Sequence, residues 1–95
     1  MRISLLEKQF IKDYWQRNFP YATVYLFGSR ADDNQKGGDI DILVINDEKI
    51  SLSQKKNFLA GFIREVGEQK VDLVTYTYSE NPPFKRIALE KAIRL

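Results

Sequence analysis

"LFGSRADDNQKGGDIDILV", residues 26–44, is the stretch whose reading decides the fold. An apolar run stops at Gly28-Ser29, gives way to a polar loop closed by Gly37-Gly38, and resumes with Asp39 and Asp41 alternating with isoleucines. The β-branched and aromatic run YATVYLF, residues 21–27, predicts one strand, and DIDILVI, residues 39–45, predicts the next. Residues two apart on a strand share a face, so Asp39 and Asp41 project together, about 7 Å apart, while Ile40 and Ile42 face the other way. Two carboxylates this close resist joint ionisation. A divalent cation between them removes the conflict, and an all-oxygen site suits Mg²⁺ or Mn²⁺.

The flanking sequence completes a small α/β unit. Ser4 with Glu7 has the form of a capping box, and Leu6, Phe10, Ile11, Tyr14 and Trp15 recur at helical spacing, which predicts a helix over 4–17 with its aromatic stripe in the core. Ser51 with Gln54 repeats the capping pattern before Phe58, Leu59, Phe62, Ile63 and Val66, a helical face that runs up to Gly67. KVDLVTYTY, residues 70–78, reads as a third strand, with Tyr76 and Tyr78 covering the sheet edge. Asn81 before Pro82 reads as a helix cap, and the apolar positions from Phe84 to Leu95 predict a helix to the end. The expected order is α-β-β-α-β-α in a single domain over 1–95, of α/β (α+β) class, with a small mixed three-stranded sheet and flanking helices. Strands one and two are expected to be antiparallel. The intervening helix makes strands two and three parallel.

Parallel pairing would bring Asp72 to the rim that carries Asp39 and Asp41. Three carboxylates on adjacent strands are what two-metal nucleotidyl transfer needs, two to bridge the metals and a third to complete one site and help deprotonate the attacking hydroxyl. Gly28 then lets the backbone approach a triphosphate, the Ser29 hydroxyl and nearby amides donate to phosphate oxygens, and Arg30 adds a bidentate contact. Lys36, in the same loop, reads as a surface lysine. Lys85, Arg86, Lys91 and Arg94 read as solvated helix charges.

Composition narrows the chemistry further. The chain of 95 residues has no cysteine and no histidine, which removes disulfides, thiolate nucleophiles, the usual zinc sites and a serine-histidine-aspartate triad. Its net charge of +2 gives no reason to expect nucleic acid or an anionic membrane as a bulk partner. Charges interrupt every apolar pair of MRISLLEKQFIKDYWQ, so neither a signal peptide nor a membrane span is expected, and the expected location is cytoplasmic.

Taken together, the strand ending in Gly-Ser, the Asp-x-Asp on the next strand and the later aspartate on the third resemble the DNA polymerase β-type nucleotidyltransferase superfamily. More closely, "LFGSRA", "GDIDILV", "VDLVTY" and "NPPFKRIALEKAIRL" resemble the minimal nucleotidyltransferase (MNT) antitoxins paired with HEPN-domain toxins. The resemblance implies the nucleotidyltransferase fold, Gly28 and Ser29 at the phosphates of ATP, and Asp39, Asp41 and Asp72 around Mg²⁺. It also implies transfer of AMP from ATP to a hydroxyl, with pyrophosphate leaving, the acceptor being a tyrosine of a partner HEPN toxin, an RNase that is thereby silenced. The alternative is an antitoxin that neutralises its toxin by binding alone. Nine residues separate Ser29 from Asp39, a slightly shorter loop than the family's usual one, and Ala31-Asp32-Asp33 fills its turn.

Overall fold

The computed structural model describes residues 1–34 and 38–95; Lys36 and Gly37, considered above, lie outside the described residues. Helix α1 spans Leu5–Asn18, and the capping box at its start is formed in both directions. The Ser4 hydroxyl accepts from the Glu7 amide at 3.0 Å, and the Glu7 carboxylate accepts from the Ser4 amide at 2.7 Å. Strand β1, Thr23–Phe27, runs into a single 3₁₀ turn, Gly28–Ala31, and strand β2 covers Ile40–Asn46. Helix α2, Leu52–Glu65, carries the second capping box, Ser51 with Gln54, and precedes strand β3, Val71–Thr77. Helix α3 spans Pro83–Glu90 and strand β4 Ile93–Arg94.

The sheet order is β3-β2-β1-β4, with β1 antiparallel to β2 and to β4, and β2 parallel to β3. Both expected pairings hold, but the sheet has four strands rather than three. The correction lies at the C-terminus: the last helix ends at Glu90, and Ile93 and Arg94 pair with Leu26 and Tyr25. The Leu95 amide adds a bond to Val24 O at 2.9 Å. Pairing with the open edge of β1 satisfies backbone groups that a further helical turn would have left on that edge. The cap of α3 also differs, since Pro82 occupies the N-cap in place of Asn81 and Pro83 the first turn, where its missing N–H costs nothing.

The parity of β2 divides the molecule. Ile40, Ile42 and Val44 face α1 and α2 in a core with Ile11, Trp15, Leu26, Phe58 and Phe62, while Leu43 and Ile45 face α3 with Ala88. The α1–α2 side is closed by two long helices and by aromatic rings packed around Phe58, which lies within 5.2 Å of Tyr14 and 5.1 Å of Trp15 between ring centroids. The other face is covered by α3 alone, and Tyr25, Phe27, Val74 and Tyr76 remain only partly buried on it. Asp41 and Asp72 have the parity of this thinly covered face.

Lys85 corrects the expectation of a solvated charge. It is 7% exposed, and its ammonium donates to Thr77 O, Tyr78 O and Glu80 O at 3.2, 3.2 and 2.6 Å. The three carbonyls satisfy all three donors, which is what allows the charge to be buried, and they fix the turn between β3 and α3. Tyr78 spans the end of β2, its hydroxyl donating to Tyr21 O at 2.8 Å and lying 2.7 Å from Thr23 Oγ1. No described helix is long and apolar enough to cross a membrane.

The aromatic packing makes Phe58 the test of the α1–α2 core. Phe58→Ala is expected to cost about 3–5 kcal/mol in urea unfolding, the range for removing a fully buried phenyl ring. A loss below about 1 kcal/mol, ordinary for a surface change, would contradict its place in the core.

Candidate active site

The site begins with the register of two strands. Asp41 stands opposite Asp72 in the parallel β2–β3 pair and opposite Phe27 in the antiparallel β1–β2 pair. Asp39 lies just before β2, where the Ile40 amide donates to Lys70 O at 3.1 Å and fastens the starts of β2 and β3 together. The three aspartates therefore share one edge, beside the residue that leads into Gly28-Ser29.

Their electrostatics act as a unit. Burial, then the charges of Asp72 and Asp39 and a hydrogen bond with Asp72, raise the Asp41 carboxyl from its ordinary 3.8 to about 6, with Lys70 opposing. The Lys70 ammonium sits 3.3 Å from Asp39 Oδ2. Hydrogen bonding and attraction to Asp39 chiefly raise its pKa, with Asp72 and Asp41 adding to the effect. One exposed monovalent cation thus offsets only part of the repulsion among three carboxylates. Among the described residues no group of three or more Asp, Glu, His or Cys side chains is arranged to hold a metal ion. The three carboxylates do offer only hard oxygen donors with excess negative charge at an open strand edge, the donor chemistry that Mg²⁺ and Mn²⁺ prefer.

Gly28 and Gly38 make the turn possible. Gly28 has φ +70°, and a Cβ there would collide with Asp41 Oδ2 and stand 3.1 Å from Asp41 Cγ. Gly38 has φ +87°, and a Cβ there would run into Ser29 Oγ. Each glycine leaves room for the functional side chain beside it, so Asp41 and Ser29 are packed against bare backbone on both sides of the loop.

Arg30 is tied into the scaffold. Its Nε donates to Gly38 O at 3.1 Å, Nη1 to Arg2 O at 3.0 Å and Nη2 to Gln69 Oε1 at 3.4 Å, so it joins the turn to the approaches of β2 and β3. The acidic turn is also accommodated. Asp33 is largely exposed and pairs with the N-terminal ammonium, and the Asp32 carboxylate accepts from the Asn34 amide at 2.9 Å.

A cleft of about 830 Å³ opens beside the turn. Gly28, Ser29 and Ala31 form one wall, and Phe84, Ile87 and Ala88 of α3 the other. Phe27 and Phe84 meet edge to face at 6.0 Å. The cleft shares Gly28 and Ser29 with the carboxylate edge, while the three aspartates lie outside its walls.

The family model described as "Polymerase beta, Nucleotidyltransferase" matches residues 9–95. The chain belongs to this nucleotidyltransferase family. Among solved structures, it is similar to a crystal structure of the toxin-antitoxin MntA-HpeT carrying two aspartate-to-glutamate mutations, at 22% identity and TM-score 0.72, with 95% of this chain and 72% of that chain covered. It is also similar to a tyrosine-to-alanine mutant of MntA-HpeT, at 24% identity and TM-score 0.73, covering 97% and 72%. No curated protein sequence matches it.

In this nucleotidyltransferase, sequence reasoning brought Gly28, Ser29, Asp39, Asp41 and Asp72 to one place, and the fold joins them there. It missed Lys70, which reads as an ordinary strand-start lysine until β2 and β3 are paired. It missed Arg2 as well, whose partners are 27 to 30 residues away in sequence.

Two outcomes test this geometry. The folded chain holds the Asp41 proton to about pH 6 and the unfolded chain only to about 3.8, so the native state binds more protons between those values. Stability must then fall as pH rises through about 6. The wild-type melting temperature is expected to drop between pH 5 and pH 7.5 relative to Asp41→Asn; parallel profiles would contradict the coupling. Gly28→Ala is expected to destabilise by about 1–2 kcal/mol for its left-handed backbone alone, with a further loss from displacing Asp41, read by urea unfolding; an unchanged midpoint would refute the close approach.

Proposed function

We propose that this nucleotidyltransferase transfers AMP from ATP to the hydroxyl of a tyrosine on a partner HEPN toxin and so acts as its antitoxin. The observation that carries the reading is the joining of the Asp39, Asp41 and Asp72 edge to a glycine-lined turn that holds Ser29 beside an open cleft. Asp39 and Asp41 would hold Mg²⁺, with Asp72 completing one site. Bound Mg²⁺ would supply neutralisation of charge on the phosphate oxygens and ease ionisation of the acceptor hydroxyl.

The chain's own residues supply the rest. Ser29 Oγ and the turn amides bind the triphosphate tail, and Gly28 keeps Cβ bulk away from it. The acceptor oxygen forms a bond to the α-phosphorus of ATP, the α–β bridging P–O bond breaks, and pyrophosphate departs with that electron pair. Asp72, exposed at the strand edge, accepts the proton of the acceptor hydroxyl. Asp41, packed between Gly28 and β3, holds the carboxylate cluster in register.

Two features support a protein acceptor. Phe84 and Ile87, on the α3 wall of the cleft, are 47% and 64% exposed, and large apolar side chains turned outward beside a site favour a protein surface. The similar MntA-HpeT mutants alter two aspartates two positions apart and a tyrosine, the residue types this reading places at the metal and at the acceptor.

The test is incubation with α-labelled ATP, Mg²⁺ and the product of the neighbouring gene as the candidate HEPN partner. Label is expected on a tyrosine of that protein, with transfer reduced at least about a hundredfold by Asp41→Asn, on the scale of removing a group that acts on the transition state. Undiminished transfer by the variant would refute the role of Asp41. No transfer by wild type, with toxin neutralisation surviving loss of both Asp39 and Asp41, would instead favour neutralisation by binding alone.

A further inference from the structure

The chain's first residues are laced into the Gly28–Ala31 turn. The Arg2 amide donates to Arg30 O at 2.7 Å, and the Arg30 guanidinium donates back to Arg2 O at 3.0 Å. The Arg2 side chain reaches two further carbonyls, with Nη2 donating to Ser29 O at 3.0 Å and Nε to Asp32 O at 3.3 Å. The Asp32 amide closes the same turn on Ser29 O at 3.1 Å. One guanidinium therefore grips carbonyls at both ends of the turn that bears Ser29. A rigid, five-donor fork suits this task.

Because the peptide unit is planar and trans, its C=O and N–H point in opposite directions. Drawing the Ser29 and Asp32 carbonyls toward Arg2 turns the Arg30 and Asp33 amides away from it. Among the described residues that line the cleft, Ser29, Asp32 and Asp33 appear and Arg2 does not, so Arg2 works from outside the cleft. Arg30 holds the turn as well, through Gly38 O and Gln69 Oε1. Two fixed positive charges thus stand by a turn that itself carries Asp32 and Asp33, and they make it more favourable to an anion.

We propose that Arg2 is a positioning residue for phosphate binding. It presets the Gly28–Ala31 turn so that Ser29 and the turn amides are already arranged when a nucleoside triphosphate arrives. The proposal rests on the reading of that turn as the triphosphate site. Arg2 makes its described contacts with the backbone of Ser29, Asp32 and Arg30 and with the Arg30 guanidinium rather than with Asp39, Asp41 or Asp72. Its loss therefore removes binding energy rather than chemistry.

The experiment compares wild type with Arg2→Met, which keeps the apolar stem and removes the donors, and with Arg2→Lys, which keeps the charge without the fork. KM for MgATP is expected to rise about tenfold or more in Arg2→Met with kcat within about twofold, the signature of lost uniform binding. Arg2→Lys should recover part of that loss. In the nucleotide-free protein, amide hydrogen exchange across residues 28–34 should quicken in Arg2→Met while Ile42 and Val44 in β2 keep their protection, which separates a local effect from general unfolding. Unchanged KM, or a fall in kcat alone, would overturn the phosphate role. Unchanged exchange in the turn would overturn the preorganisation. If wild type binds no ATP by calorimetry while Arg2→Met still loosens the turn, the nucleotide reading itself fails, and Arg2 with it.

Discussion

The pairing of Asp41 with Asp72 across the parallel β2–β3 ladder is the constraint on which the rest of the site depends. A strand register is stiff, because a slip by one residue would move every β2 side chain to the opposite face. Here such a slip would move Ile40, Ile42 and Val44, all fully buried, onto the thinly covered α3 face and turn Asp41 into the α1–α2 core. The α1–α2 core therefore holds two like charges together at the strand edge. Repulsion that would separate them in a loop is resisted by apolar burial along the whole strand, at about 25 cal/mol per Å².

That division between faces explains the asymmetry of the molecule. One face of the sheet is closed by two capped helices and a cluster of aromatic rings; the other is covered by an eight-residue helix that buries Lys85 and Ala88 and turns Phe84 and Ile87 outward. The carboxylates lie on the second face. Burial is concentrated on one side of β2, and the other side leaves the carboxylate edge open beside the cleft. The loop between β1 and β2 follows the same logic. Gly28 and Gly38 surrender side chains so that Asp41 and Ser29 can occupy that space, and Arg30, whose guanidinium reads as a phosphate ligand from its position, is engaged with Gly38, Arg2 and Gln69.

Much of this was legible in the residues themselves. The capping boxes at Ser4 and Ser51 are local devices, so their spacing announces both helix starts, and the length of the α2 crossover dictates the parallel pairing that brings Asp72 to Asp39 and Asp41. What escaped was non-local. Ile93 and Arg94 form a strand only because the edge of β1 is available to them, and nothing in their own sequence separates that outcome from a continuing helix. Lys85 looks like any helix-surface lysine until the β3–α3 turn supplies three carbonyl oxygens. Arg2 acquires a role only when the chain returns to it at Ser29, and Lys70 only when β3 lies beside β2.

Asp39, Asp41 and Asp72 are proposed to act as a single cation-binding unit. This is tested most directly by titrating the protein with Mn²⁺ and following free metal by electron paramagnetic resonance, for wild type and for Asp39→Asn, Asp41→Asn and Asp72→Asn. Saturable binding that weakens in all three variants is the predicted result. Binding that Asp72→Asn leaves untouched, or no saturable binding in wild type, would contradict it.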